Sequence, residues 1–171
     1  QRIPQARFVL VGEGKDDGTL GDLKHLANEL GIADRTYFPG YRSDLIPVYA
    51  AFDLFLLSSR REGLPNSILE AMAMGVPVVT TDVAGAKELV VDGETGYVLP
   101  QADARGIAHA LIGLTENTTV RTRMSHAGRA RIEREFSFFN RMQCVEALYE
   151  ALLATKKFSC DGVEAHAELE T

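Results

Sequence analysis

Glu62 to Val79 reads EGLPNSILEAMAMGVPVV. Pro65 suits the first turn of a helix, where its missing N–H is not needed. Gly75, nine residues after Asn66, supplies the left-handed residue that closes such a helix. Pro77 then opens an apolar run at the one place where a buried strand tolerates proline. Immediately upstream, Asp53 to Leu57 is a short apolar run ending in the polar loop Ser58-Ser59-Arg60-Arg61. Strand, loop, helix and strand therefore follow one another at the short spacing of a βαβ unit.

Working outward, further apolar runs lie at Phe8 to Val11, around Tyr37 and Phe38, at Pro77 to Thr81 and at Gly96 to Leu99, each too short for a helix. Helical patterns fall between them, near Leu20 to Leu30, Leu45 to Phe52, Asn66 to Met74 and Ala86 to Val91. This alternation predicts an α/β fold, a parallel sheet with helices on both faces. After residue 100 the pattern is helical only: Ala104 to Leu114, Val120 to Glu135 and Phe139 to Leu153. Glu116-Asn117-Thr118-Thr119 reads as a turn between the first two, and Ser137 as the N-cap of the last. One domain over residues 1–155 is expected, with residues 156–171 a frayed, disordered tail of two lysines against four acids.

In an open parallel sheet, ligands bind outside the carboxyl ends of the strands. The loop carrying Glu62 lies there. The helix that follows has free backbone N–H groups around Leu64, Asn66 and Ser67, and its positive end suits a phosphate or diphosphate without requiring lysine. Glu70, four residues after Asn66, shares its helix face. A carboxylate beside an anion site makes sense if it accepts hydrogen bonds from a vicinal diol such as that of ribose. The alternative is a plain βαβ unit with two surface glutamates.

Val11-Gly12-Glu13-Gly14 offers a G-x-G after the first strand, but Asp17 stands where the third glycine of a dinucleotide fingerprint would fall. Gly12 and Gly14 read as tight-turn residues whose backbone edge faces a ligand. Phe38-Pro39-Gly40-Tyr41 ends the neighbouring run, either as a structural turn or as a place where main chain near Tyr41 and Arg42 reads a base. Lys87 either neutralises phosphate or, the preferred reading, pairs with Asp82 or Glu88, and the histidines, His25, His109, His126 and His166, read as solvated.

Composition narrows the partners. Of 171 residues, 46% are hydrophobic and 25% charged, ordinary globular usage. Eighteen Lys and Arg against 24 Asp and Glu give a net charge of -6, the wrong sign for nucleic acid. Cys144 and Cys160 have no metal-ligand spacing, favouring a reducing compartment and no structural zinc. No run of about 18 apolar residues and no signal-peptide core at Gln1 to Arg7 is present. A cytoplasmic protein is expected, at most touching the inner face of the membrane; the six arginines between Arg121 and Arg141 read as a solvated, charge-paired helix face or as a contact with an anionic membrane surface or a partner domain.

The block EGLPNSILEAMAMGVPVV, preceded by DLFLLSS and followed by VAGAKELVVDGETGYVLP, resembles the donor-binding half of the family 4 retaining glycosyltransferases, also called group 1. The resemblance runs from about Phe8 to Phe139 and implies a Rossmann-like domain, the carboxyl-terminal half of a B-type glycosyltransferase fold lacking its first strand. It implies a hexosyltransferase of polysaccharide or glycolipid biosynthesis that moves a sugar from a nucleoside diphosphate sugar to a hydroxyl acceptor, with no cofactor and no metal. It places Glu62, the catalytic candidate, at the donor sugar's hydroxyls, and the main chain of Gly63, Leu64, Asn66 and Ser67 at the sugar and diphosphate. Glu70 would hold the ribose hydroxyls, and main chain near Tyr41 would read the base. The family's acceptor-binding amino-terminal domain has no counterpart here, so this chain by itself is expected to be inactive, and the missing first strand, central in the family's sheet, is expected to leave an apolar gap beside Phe8 and reduce its stability. Two other functions remain open at this point: a nucleotide-sugar epimerase domain and a noncatalytic nucleotide-binding module.

Overall fold

The structure, a computed structural model, describes residues 3–13 and 18–155. Gly14, Asp17, Cys160, His166 and the tail 156–171 lie outside the described residues. The elements are β1 (Phe8–Val11), α1 (Thr19–Glu29), a 3-10 turn (Ala33–Arg35), β2 (Thr36–Gly40), α2 (Ile46–Ala50), β3 (Phe55–Leu57), α3 (Asn66–Ala73), β4 (Val78–Thr81), α4 (Ala86–Leu89), β5 (Gly96–Leu99), α5 (Ala104–Glu116), α6 (Thr118–Glu135) and α7 (Phe138–Thr155). The chain divides into two units, Gln1–Ile132 and Glu133–Thr171.

Among the described residues every strand pairing is parallel, as the alternating pattern requires, but the strands form two sheets, β1-β2 and β3-β4-β5. Phe55 stands opposite Val78, and Val78 opposite Gly96, so β4 is central and its four residues are all buried. A strand with neighbours on both edges and helices over it reads as continuous apolar sequence. β1 has the same kind of sequence, FVLV, yet all four of its residues are exposed, at 36–41%.

Around β4 the core is built by α3, which buries Ile68, Ala71 and Met72, and by α5 and α6, whose Leu114 and Met124 close on Val79. Gly128 of α6 lies against Met72, where a Cβ would come within 3.6 Å of the thioether methyl. The Ser125 hydroxyl donates to the Gly75 carbonyl at 2.6 Å and so fastens α6 to the end of α3. That end is a Schellman closure: Gly75, at φ 72°, donates to Met72 O and Val76 donates to Ala71 O.

Three local expectations change. Pro65 is not inside the helix; it holds the N-cap place in extended conformation, and α3 begins at Asn66. No four-residue turn separates α5 from α6: Asn117 alone joins them, its side chain accepting from Val120 N at 3.1 Å. The arginine-rich segment is more than a solvated face. Arg131 donates to the carbonyls of Leu89 and Glu88 at 3.0 and 2.9 Å, satisfying the orphan end of the short α4. In the second unit, Ser137 caps α7 as expected, accepting from Asn140 N at 3.2 Å.

Candidate functional site

Glu62 is positioned from the sheet outward. Thr81, the last residue of β4 and 2% exposed, donates its hydroxyl to the Ser59 carbonyl at 2.6 Å. This ties the loop after β3 to the buried strand beside it. Ser59 in turn donates its own hydroxyl to Glu62 Oε1 at 2.7 Å. A buried strand thus reaches the carboxylate through two hydroxyls, and Oε2 has no hydrogen bond among the described residues.

The loop after Glu62 rests on bare backbone. Gly85, at φ 75°, sits so close that a Cβ there would stand 2.6 Å from the Gly63 carbonyl oxygen and 3.1 Å from Leu64 Cα. Both the left-handed backbone and the space demand glycine. Leu64 is half-exposed, whereas Pro65 after it is buried. Among the described residues no side chain caps α3, so the N–H groups of Asn66 and Ser67 keep the unsatisfied character of a helix start.

One turn into α3, Glu70 accepts a hydrogen bond at Oε2 from the Tyr49 hydroxyl, 2.8 Å away. Tyr49 is 7% exposed, and burial first, then Glu70, raises its phenol above the ordinary range. At the other sheet, Gly12 N donates to Gly40 O at 3.1 Å, so the carboxyl ends of β1 and β2 are tied together, with Tyr41 beside them 71% exposed. An open cleft of about 630 Å³ borders Glu62 on the side of Asp82, Gly85 and Lys87. Lys87 is held there by Asp82 at 2.5 Å, the ion pair expected of it.

Of the residues singled out in the sequence, Glu62, Gly63 and Leu64 therefore meet at one loop, Asn66, Ser67 and Glu70 share the first turns of α3, and Gly12 and Tyr41 stand at the end of the other sheet. Sequence reading missed the supports: Ser59, Thr81, Tyr49 and Gly85. His25 pairs with Glu29 at 3.3 Å on an exposed helix face, and His109 and His126 are exposed, in keeping with solvated histidines.

Residues 1–117 match the family described as glycosyl transferases group 1. The chain belongs to the group 1 glycosyltransferases. Among relatives of this group 1 chain, the lipopolysaccharide core biosynthesis glycosyltransferase LpsE of Rhizobium meliloti is 35% identical over 91% of the chain and 44% of its own length. The N-acetyl-alpha-D-glucosaminyl L-malate synthase of Bacillus anthracis is 32% identical over 89% of the chain and 39% of its own length. The chain spans less than half the length of these curated relatives. Among solved structures, Anabaena HepE in complex with UDP-glucose superposes with a TM-score of 0.80 at 28% identity, over 86% of this chain and 42% of HepE. The carboxyl-terminal domain of the group 1 protein LpcC from Francisella tularensis superposes at 0.73 with 26% identity, over 79% of this chain and 72% of that one. The group 1 chain thus has the carboxyl-terminal domain fold of a B-type glycosyltransferase, parallel sheets with helices on both sides. Among its described residues no helix is long and apolar enough to cross a membrane.

Proposed function

We propose that this chain is the donor-binding domain of a retaining hexosyltransferase, acting within a longer polypeptide that supplies the acceptor domain. The observation that carries the reading is the pairing of two carboxylates with an uncapped helix start: Glu62 just before α3, Glu70 one turn into it, each with one oxygen anchored by a hydroxyl. The complex of HepE with UDP-glucose supports a nucleoside diphosphate sugar as the partner.

In this reading the diphosphate lies at the N–H groups of Asn66 and Ser67, with main chain of Gly63 and Leu64 beside the sugar. As the bond from the anomeric carbon to the diphosphate breaks, negative charge grows on the leaving oxygen. Donors already fixed at a positive helix end stabilise that charge without having to reorganise. Glu62, held by Ser59, accepts from hydroxyls of the sugar and fixes the ring for attack by the acceptor hydroxyl on the face the diphosphate leaves. Glu70 accepts from the ribose diol, and Tyr41 and Gly12 border the base. The charge on the leaving group is met by backbone donors, so no metal and no cofactor is assigned a part. The reaction belongs to polysaccharide or glycolipid synthesis at the cytoplasmic face of the membrane. Arg123, exposed on α6, is left to touch that surface; this chain by itself does not turn over.

The test is a kinetic comparison in the complete polypeptide. Glu70→Ala raises the donor KM about tenfold, the worth of one hydrogen bond to a charged group. Glu62→Ala lowers kcat by about 100-fold through lost orientation. Unchanged kinetics in both variants would sink the assignment, and so would formation of an epimerised nucleotide sugar without any acceptor.

A further inference from the structure

We propose that Tyr49 is a positioning residue of the donor site, holding one oxygen of Glu70 so that the other is aimed at the ligand's vicinal diol. The inference rests on the donor reading of Glu70 and adds to it the group that gives the carboxylate its direction. Glu70 lies on an exposed face of α3 and its side chain has three rotatable bonds, so unaided it would sample many rotamers. Tyr49 has no such freedom. It comes from α2, a different element, and its ring packs edge-on to Phe52, with centroids 6.0 Å apart at 84°, and at a tilt to Phe55, 5.9 Å away at 59°. The phenol is therefore fixed by a cluster of three aromatic rings, and its hydroxyl reaches Glu70 Oε2 at 2.8 Å.

An ionised carboxylate only accepts hydrogen bonds, through about four lone-pair positions on two oxygens. Tyr49 occupies one of them and leaves Oε1 with no hydrogen bond among the described residues. A diol needs two neighbouring acceptor positions at a fixed angle, and a carboxylate pinned at one corner offers them in a single orientation. Tyr49 thereby sets the preference for a ribose over a deoxyribose without touching the ligand. The bland alternative is a buried phenol that satisfies its hydroxyl on the nearest acceptor, and the two readings differ in what the hydroxyl does to sugar discrimination.

The experiment titrates the complete polypeptide calorimetrically with UDP, GDP and ADP, then with the 2′-deoxy form of whichever binds. In wild type the ribonucleotide is expected to bind about tenfold more tightly than its deoxy form. In Tyr49→Phe most of that ratio disappears: the ribonucleotide weakens five- to tenfold while the deoxynucleotide keeps its affinity. Equal weakening of both, or an unchanged ratio, overturns the proposal and leaves Tyr49 a structural residue. Phe52→Leu keeps the hydroxyl but loosens the ring, so it is expected to reduce the ratio partially; it carries the test should Tyr49→Phe not fold, and an unchanged ratio there also counts against the proposal. Glu70→Ala separates the two layers. If it too leaves the ratio intact, or if no nucleotide binds wild type, the donor reading falls and takes the proposal with it. If Glu70→Ala abolishes the ratio and Tyr49→Phe does not, only the role of Tyr49 falls.

Discussion

Two glutamates on one short stretch are held by the same device, a single neutral hydroxyl on one carboxylate oxygen: Ser59 on Glu62 and Tyr49 on Glu70. A hydrogen bond to a charged group contributes about 1.5–3 kcal/mol, similar to the roughly 1.5–2 kcal/mol of rotamer entropy lost when a long side chain is ordered. One hydroxyl is therefore enough to orient each acid, and a cation in its place would neutralise the acceptor the ligand needs. The Tyr49 phenol leaves a trace in stability. Its ordinary value is 10.0, and burial, then the hydrogen bond and charge of Glu70, raise it in the folded chain. Above pH 10 the unfolded chain releases this proton while the folded one keeps it, so the phenol's contribution is complete below pH 10 and declines as pH rises further. The stability gap between wild type and Tyr49→Phe is thus expected to be constant from pH 7 to 9 and to shrink between pH 10 and 11. Urea unfolding at each pH reads it, and a gap that holds constant or widens would contradict the burial argument.

At the level of elements, the site depends on how tightly the loop after β3 and the start of α4 pack. Gly85→Ala places a Cβ within 2.6 Å of the Gly63 carbonyl at a left-handed backbone position, so the loop carrying Glu62 must move. A loss of about 1–3 kcal/mol in stability is expected, together with a fall in kcat of at least tenfold, because a displacement of about 1 Å misaligns the carboxylate. Chemical denaturation and steady-state kinetics measure both; a variant with wild-type turnover would show that the loop is not held from this side. This contact also marks where sequence reading stops. Gly75 and Pro77 could be read because each acts through its own backbone and needs no neighbour to be interpreted, whereas Pro65, expected in the first turn, stands at the N-cap. The five described strands could be read because each lies in an apolar run too short for a helix, and Glu62 and Glu70 because they share one segment with the helix start. Gly85 and Tyr49 act across 22 and 21 residues, through a close approach and a hydrogen bond that exist only after β3, α3 and β4 have packed. Arg131 is of the same kind, since it lies 42 residues from the Leu89 carbonyl it binds.

At the scale of the whole molecule, the two sheets differ in how completely they are covered. β4 has a strand on each edge and is fully buried; among the described strands β1 pairs with β2 alone and β3 with β4 alone. β1 carries Phe8, Val9, Leu10 and Val11, apolar on both faces, a sequence suited to a central strand rather than to one about 40% exposed. An apolar strand edge left open is also a template for pairing with another chain. A further parallel strand set between β1 and β3 would pair the open edge of each and leave only β2 and β5 at the edges, and relatives such as LpsE, of which this chain spans 44%, have the length to provide one. The 171-residue chain is therefore expected to melt broadly and below about 60 °C, within or under the ordinary mesophilic range, while a longer polypeptide that contributes such a strand melts more sharply and several degrees higher. Differential scanning calorimetry on the two lengths decides it. A sharp, cooperative melt of the short chain well above 60 °C would mean that the sheets are complete as they stand and that the exposed β1 has another role.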